Sequence, residues 1–278
     1  MMEQSTSWPA ALRRRWLHKR LILPAEHGSW SWLLVPFLVG VLASKEWTVG
    51  STLVLAGGLA AFLLRQPAAA WMRIRSGRGR RSQEPVARAW ALSLGLAAAL
   101  TLLGLLVLDY TQLVWLLPPM VVIFLFYLLV AWRRRASLRS LWMELLGAAA
   151  LAAMAPAAYG AGAGVLDRAA WVLWALMAGQ NVLGVVYVRL RLADTHGRSV
   201  NRSGVLAAHA GGLALVTAAA AIGITPWLAV LPFLGFLARA VWAVSEVHPV
   251  SNIKRFGFGE VGVEILGGLL VAMGYWLG

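Results

Sequence analysis

The sequence predicts an all-α protein that crosses a membrane about nine times, and three observations support this prediction. Of the 278 residues, 60% are hydrophobic and only 13% are charged, with a mean hydropathy of +0.72. The apolar residues occur in blocks of roughly 16 to 20, which is about the length a helix needs to cross the hydrocarbon of a bilayer. No block alternates polar and apolar residues as a barrel strand does, so the spans are expected to be helices.

Taken in order, the chain divides into a tail and one membrane domain. Residues 1–20 form a basic tail, and residues 21–278 form a single transmembrane helical domain. A basic start before an apolar block also fits a cleaved signal peptide, but eight further blocks favour an uncleaved first span. The predicted spans, with tryptophans near many of their ends as interfacial anchors, are residues 29–44, 48–64, 90–108, 113–132, 141–159, 171–188, 205–222, 227–244 and 261–277.

Basic residues lie almost entirely on one side of these spans. Of the 25 lysines and arginines, all but Lys45, Arg168 and Arg239 fall in the tail or in the links after the second, fourth, sixth and eighth spans. The positive-inside rule therefore predicts a cytoplasmic N-terminus and an external C-terminus. A net charge of +14 also fits a nucleic-acid binder, but its confinement to links between spans argues against a nucleic-acid partner. The lack of cysteine excludes disulfides and thiolate sites.

Two arginine-rich segments resemble each other. Residues 71–75 and 187–191 both read aromatic, apolar, Arg, apolar, Arg, and each is followed by a polar link that contains glycine. Guanidinium groups bind phosphate through paired hydrogen bonds without a metal. The two segments are therefore predicted to meet at the cytoplasmic mouth of the bundle and bind an anion. Alternatively, these arginines only set the topology and contact anionic headgroups.

Other polar residues complete the predicted site. The carboxylate and imidazole just before the first span could serve proton transfer or ligand contact, or could simply favour helix entry. No residue is assigned a catalytic role. The predicted ligand-binding residues are Glu26, His27, Arg65, Arg73, Asn181, Tyr187, Arg189, Arg191 and Asp194.

Four ionisable residues are predicted inside or at the edge of the spans, namely Glu144, Arg239, Glu260 and Glu264. Charges in a bilayer are rare and are usually paired or functional. We expect Arg239 to form an ion pair with Glu264 or Glu144. The same groups could instead line the cavity of the arginine segments or couple protons to transport. The histidines lack the spacing of metal ligands, so no metal and no cofactor is expected.

The motif at residues 24–30, PAEHGSW, followed by a span with Pro36 and Gly40, resembles the opening of the YwiC-like family of bacterial membrane proteins. This resemblance implies a multi-pass protein of the bacterial cytoplasmic (plasma) membrane.

The nine-span plan, with long cytoplasmic links after spans two and six, also resembles the UbiA prenyltransferase superfamily. That resemblance implies a UbiA-like bundle and an isoprenyl diphosphate ligand, which the superfamily binds through magnesium and aspartate-rich motifs at those links. Where the first motif, N-x-x-x-D-x-x-x-D, would lie, this chain has Arg65, Ala69 and Arg73. Because magnesium needs carboxylate oxygens, arginine would have to neutralise the diphosphate here.

Three functional hypotheses follow. The leading one is a membrane protein that binds an anionic lipid or phosphorylated isoprenoid in a cytoplasmic-side, arginine-rich cavity. A magnesium-independent prenyltransferase and a non-catalytic lipid binder predict the same arginines. The second is a transporter that uses Arg239, Glu260 and Glu264, for which inverted repeats with broken helices are expected. The third is a structural partner of another membrane complex.

Overall fold

A computed structural model describes residues 28–133 and 140–277, and within these ranges the chain is all helical with no strand. This confirms the predicted fold class of a polytopic helical membrane protein. Short 3₁₀ turns at Arg81–Gln83, Thr111–Leu116 and Trp227–Ala229 precede three of the helices. The ten α-helices are α1 Gly28–Ser44, α2 Val49–Arg75, α3 Glu84–Val107, α4 Leu117–Arg133, α5 Leu141–Leu151, α6 Met154–Ala163, α7 Arg168–Thr195, α8 Arg202–Ala221, α9 Val230–Ser245 and α10 Ile253–Leu277.

These helices form nine helical segments in the described ranges, because α5 and α6 together make one broken span, Leu141–Ala163. Eight spans are long and apolar enough to cross a membrane, and α1 is a shorter apolar helix of 17 residues. The break in the fifth span has a local cause. Pro156 has no N–H, and its ring displaces the carbonyl four residues earlier, which belongs to Ala152, where α5 ends.

Several helices extend further than predicted at the end of the bundle that carries the basic links, which we call the basic end. The second span was predicted to stop at residue 64 but α2 runs to Arg75, and α7 runs to Thr195 rather than residue 188. The expected placement of Arg65 and Arg189 in links is therefore wrong, because both lie on helices. Alanine, leucine, methionine and arginine favour helix, and long basic side chains let a helix continue past the hydrocarbon into the headgroup layer.

Helix α1 is the centre of the bundle. Its residues Leu33 and Phe37 belong to an apolar cluster with α2, α3 and α6. Val35 and Val39 belong to a second cluster with α7, α9 and α10. Each pair is four residues apart, and the two pairs lie on opposite faces of the helix. Helix α1 is therefore buried on both faces, and the helices of the two clusters pack around it.

A glycine allows α6 to approach α1 closely. A Cβ at Gly40 would overlap the carbonyl of Ala155 on α6, so a residue without a side chain is needed there. Small residues at such crossings are the usual means by which membrane helices pack.

The outer surface of the bundle is apolar. Leu92, Leu96, Leu100 and Leu103 of α3 are each more than half exposed and repeat every three or four residues. Such a stripe faces away from the protein core, as the lipid-facing side of a membrane helix does.

The arginines that follow the second and the sixth span include one each that donates hydrogen bonds to the C-terminus of another helix. Arg78, after the second span, donates hydrogen bonds to the last turn of α4, including the carbonyl of Trp132 at 2.8 Å. Arg202, after the sixth span, donates to the carbonyls of Ala243 at 2.8 Å and Glu246 at 2.9 Å, where α9 ends. Unpaired carbonyls at helix C-termini favour a cation. An arginine from each basic link therefore caps the helix two spans further along the chain.

Candidate functional site

Arg65 projects from α2 into the side of the bundle near the basic end. It lies ten residues before the last residue of α2, about 15 Å along the helix axis. Its guanidinium carbon is 5.4 Å from the ring centre of Phe62 and 5.7 Å from that of Tyr127 on α4. Its Nη1 lies beside α5, at 3.7 Å from where a Cβ of Gly147 would be. No carboxylate within residues 28–133 and 140–277 forms an ion pair with Arg65.

Arg189 reaches the same turn of α5 from α7. Its Nε donates a hydrogen bond to Oε2 of Glu144 at 2.6 Å, and the two side chains are 36% and 26% exposed. Glu144 and Gly147 are three residues apart, a rise of about 4.5 Å. The structure therefore brings arginines from two distant segments to one turn of α5. We call this group the arginine site, and its residues are Phe62, Arg65, Tyr127, Glu144, Gly147 and Arg189.

Arg73 does not join this group. It is half-buried on the last turn of α2, and within the described ranges only its backbone forms hydrogen bonds, accepting from Ser76 Oγ and from the N–H of Arg78. Glu26 and His27 precede Gly28 and lie outside the described residues.

Arg239 forms an ion pair deeper in the bundle. Its Nη2 donates to Oε2 of Glu260 at 3.0 Å, and its guanidinium carbon lies 4.1 Å from the ring centre of Tyr187. The prediction that Arg239 forms an ion pair with Glu264 or Glu144 is therefore wrong. The reason is depth: Arg239 is six residues from the end of α9 and Glu260 is seven from the start of α10. Both are about 10 Å from the basic end, whereas Glu264 lies one turn deeper.

Arg191 is held by the protein itself. Its Nη1 donates to the hydroxyl of Tyr187 at 2.9 Å and its Nε to the carbonyl of His248 at 3.1 Å. Its guanidinium carbon is also 4.8 Å from the ring centre of Trp242 and 5.3 Å from that of Phe256. Arg191 therefore fastens the end of α7 to the ends of α9 and α10.

Asp194 is engaged in the same region. One carboxylate oxygen accepts from Arg202 and the other accepts from the backbone N–H of His248 at 3.1 Å. The carboxylate is nearly buried and stabilises the link that follows α7.

Asn181 joins three helices in the core. Its side-chain amide donates to the carbonyl of Trp32 on α1 at 3.1 Å and to that of Ala148 on α5 at 2.9 Å. The residue is 1% exposed. Its predicted role was ligand contact, but both contacts of its amide nitrogen are to the protein.

A second polar group, which the sequence analysis did not assemble, lies beside Asn181. Ser31 Oγ lies 2.5 Å from Oε2 of Glu264 and 2.8 Å from the carbonyl of Gly28. Gln180 is 2% exposed, and within the described chain neither of its amide atoms forms a hydrogen bond. The signals in the sequence were Glu264, predicted as an ionisable residue in a span, and a glutamine within another apolar span. In the same ranges no three His, Asp or Glu residues cluster as ligands of one metal ion.

Comparison with known proteins shows a similarity to one family. The family model described as YwiC-like protein matches residues 23–159, so this segment is similar to the YwiC-like family. The match runs from just before α1 into α6 and includes Arg65 and Glu144 but not Arg189. No curated protein matches the chain, and no solved structure matches it. The resemblance to the UbiA superfamily therefore stays a prediction.

Proposed function

We propose that this YwiC-like membrane protein binds the phosphate of an anionic lipid or a phosphorylated isoprenoid, with Arg65 and Arg189 as the anchoring groups. The observation that carries the proposal is the guanidinium of Arg65, which lies on a membrane-spanning helix without a carboxylate partner in the described ranges. An uncompensated charge in a bilayer is costly. A phosphate at the arginine site supplies the missing negative charge.

The charge balance of the arginine site supports an anion. Two guanidinium groups and one carboxylate, from Glu144, leave one net positive charge on one turn of α5. Gly147 has no side chain, so no Cβ lies beside Nη1 of Arg65. Arg189 already donates to Glu144, so a bound phosphate shares the guanidinium of Arg189 with that carboxylate. The guanidinium of Arg65 interacts with the phosphate alone.

The place of the site in the membrane suits a lipid ligand. The arginine site lies near the basic end, which is predicted to face the cytoplasm. The half-buried ring of Tyr127 flanks Arg65 and offers apolar surface to an acyl or isoprenyl chain, whereas the ring of Phe62 on the other side of Arg65 is buried in the core. The other predicted residues Asn181, Arg191 and Asp194 hold the helices in place and are positioning residues in this proposal.

The test is the identity of the lipid that co-purifies with the full chain. Wild type, Arg65→Ala and Arg75→Ala are purified in mild detergent, and the bound species are extracted and identified by mass spectrometry. Arg75 is a matched control because it lies on the same helix, is 60% exposed and has only a distant partner, Glu84 at 3.9 Å. A phosphate-bearing lipid that is retained in wild type and Arg75→Ala and depleted in Arg65→Ala supports the proposal. Equal amounts in all three proteins refute it.

A second experiment separates a transferase from a binding protein. Wild type and Arg65→Ala are incubated with an isoprenyl diphosphate, with and without EDTA. Consumption that survives EDTA and is lost in the variant identifies a magnesium-independent enzyme. No consumption under either condition leaves binding alone.

A transporter is the second candidate, and the broken fifth span favours it. The break between α5 and α6 falls near the middle of a 23-residue span, where transporters commonly interrupt their helices. The ion pair of Arg239 and Glu260 also lies inside the bundle. Solute flux into liposomes that is lost in an Arg239→Ala variant of normal fold and yield would support transport. Flux that the variant retains would remove Arg239 from the mechanism.

A further inference from the structure

Three helices meet in the interior of the bundle at polar side chains that are not part of the arginine site. Ser31 on α1 contacts Glu264 on α10. Gln180 on α7 lies against Gly267 on α10, where a Cβ would be 2.8 Å from the amide oxygen of Gln180. Gly267 is one turn from Glu264. Glu264 itself is eleven residues from the start of α10, about 16 Å from the basic end and thus near mid-membrane.

The neighbouring contacts show that these side chains share one place. Asn181, next to Gln180, donates to the carbonyl of Trp32, which is next to Ser31. Trp32 of α1 and Asn181 of α7 are therefore in contact. Their chain neighbours Ser31 and Gln180 both contact one turn of α10. We call the group Gly28, Ser31, Gln180 and Glu264 the polar junction.

Counting protons shows what the polar junction lacks. A serine hydroxyl has one proton, yet Ser31 Oγ lies within hydrogen-bond distance of two oxygens, on Gly28 and on Glu264. Oε1 of Glu264 is buried and has no partner among the described residues, and the same is true of the amide oxygen of Gln180. The amide nitrogen of Gln180 is also buried without a partner, so the described residues give neither buried oxygen a hydrogen bond, and buried acceptors without partners are costly in a membrane.

The polar junction also lacks a positive charge. The charged or titratable groups near Glu264 are Glu260 on its own helix, Arg239 on α9, and Tyr187 and Arg191 on α7, while the described residues of α1 contain none. Arg239 is paired with Glu260, and Arg191 bonds to Tyr187 and to a backbone carbonyl. The carboxylate of Glu264 therefore has no counter-charge.

We propose that the polar junction binds one monovalent cation at Glu264, and that this cation is either Na⁺ or a proton. Na⁺ is a hard cation that takes oxygen ligands, and four residues offer them: Glu264, Ser31, Gln180 and Gly28. A proton on Glu264 instead donates to Ser31, whose own proton then goes to the carbonyl of Gly28. Either cation gives the carboxylate of Glu264 a partner and adds one positive charge. A single carboxylate matches a single charge, so a divalent ion is not expected.

The experiment uses the full chain in nanodiscs of neutral phosphatidylcholine and measures the midpoint of thermal unfolding by tryptophan fluorescence. NaCl is compared with choline chloride at equal ionic strength. Glu264→Gln removes the charge and keeps the shape, and Glu46→Gln is the control, because Glu46 lies in an exposed link between α1 and α2. For a Na⁺ site, Na⁺ raises the midpoint of wild type and Glu46→Gln increasingly with concentration, and Glu264→Gln does not respond.

A proton site gives a different result in the same proteins. Na⁺ then has no effect, and infrared spectroscopy detects a protonated carboxyl stretch that is present in wild type and Glu46→Gln and absent in Glu264→Gln. The proposal is overturned if wild type shows no Na⁺ response and also no carboxyl stretch assigned to Glu264. Ser31→Ala keeps the charge and removes one oxygen, and it should weaken the Na⁺ response about tenfold or shift the carboxyl stretch. It serves as the deciding variant if Glu264→Gln does not fold. None of these measurements depends on a lipid at the arginine site.

Discussion

The carboxylate of Glu144 makes the arginine site testable by a change that should improve binding. Glu144 accepts a hydrogen bond from Arg189 at 2.6 Å and so competes with any anion for that guanidinium. Glu144→Gln keeps the shape of the side chain and removes its negative charge. We therefore expect an anionic ligand to bind more tightly to this variant than to wild type.

The magnitude follows from the exposure of the pair. The side chains of Arg189 and Glu144 are 36% and 26% exposed, so solvent screens the attraction and the value for a surface pair applies, about 0.5–1 kcal/mol. Releasing Arg189 should then tighten binding about two- to fivefold. Removal of Arg65 acts in the opposite direction. A charge-assisted hydrogen bond is worth about 1.5–3 kcal/mol, so Arg65→Ala should weaken binding about ten- to a hundredfold.

The assay is a titration with an isoprenyl monophosphate in neutral phosphatidylcholine nanodiscs at constant ionic strength, followed by native mass spectrometry. Glu84→Gln is the matched control, because Glu84 also pairs weakly with an arginine, Arg75 at 3.9 Å, but lies outside the arginine site. Its affinity should equal that of wild type. Binding by a folded Glu144→Gln protein that is equal to or weaker than wild type would show that Arg189 does not contact the ligand.

Two further predictions concern the packing that positions the site. Gly40→Ala should destabilise the protein by about 1–3 kcal/mol, because the new Cβ meets the carbonyl of Ala155; Gly95→Ala, which has open space around it, should change stability by less than about 1 kcal/mol. Equal unfolding midpoints in SDS titration for the two alanine variants would contradict the close approach of α1 and α6. Asn181→Leu, which keeps the volume and removes two interhelical hydrogen bonds, should cost about 1 kcal/mol in the same assay. An unchanged midpoint would mean that these hydrogen bonds do not stabilise the junction of α1, α5 and α7.

The number of helical segments was predictable from the sequence, but their ends were not. An apolar block of sufficient length must form a helix in lipid, because only a helix satisfies its own backbone there. The same rule says nothing about where a helix stops once it has left the hydrocarbon. Residues 65–75 are polar enough to read as a link, yet α2 continues through them to Arg75. That continuation places Arg65 on a helix, within reach of α5.

The candidate site was predictable only in part. The basic segments identified Arg65 and Arg189, and the structure places both on one turn of α5. The partner of Arg239 was predicted incorrectly, since the choice between Glu260 and Glu264 depends on the relative depth of α9 and α10. The polar junction was not foreseen, because a serine or glutamine in an apolar span does not reveal which helix it faces.

The sequence by itself determined that this is a helical membrane protein of about nine spans, and the motif at residues 24–30 indicated its similarity to the YwiC-like family. These properties depend on the length of apolar blocks and on short local patterns, which can be read along a single chain. Only the tertiary structure decided which charges are paired, which are left without a partner, and which helix occupies the centre. Those outcomes depend on the rotation and depth of separate helices relative to one another, and no local pattern records them.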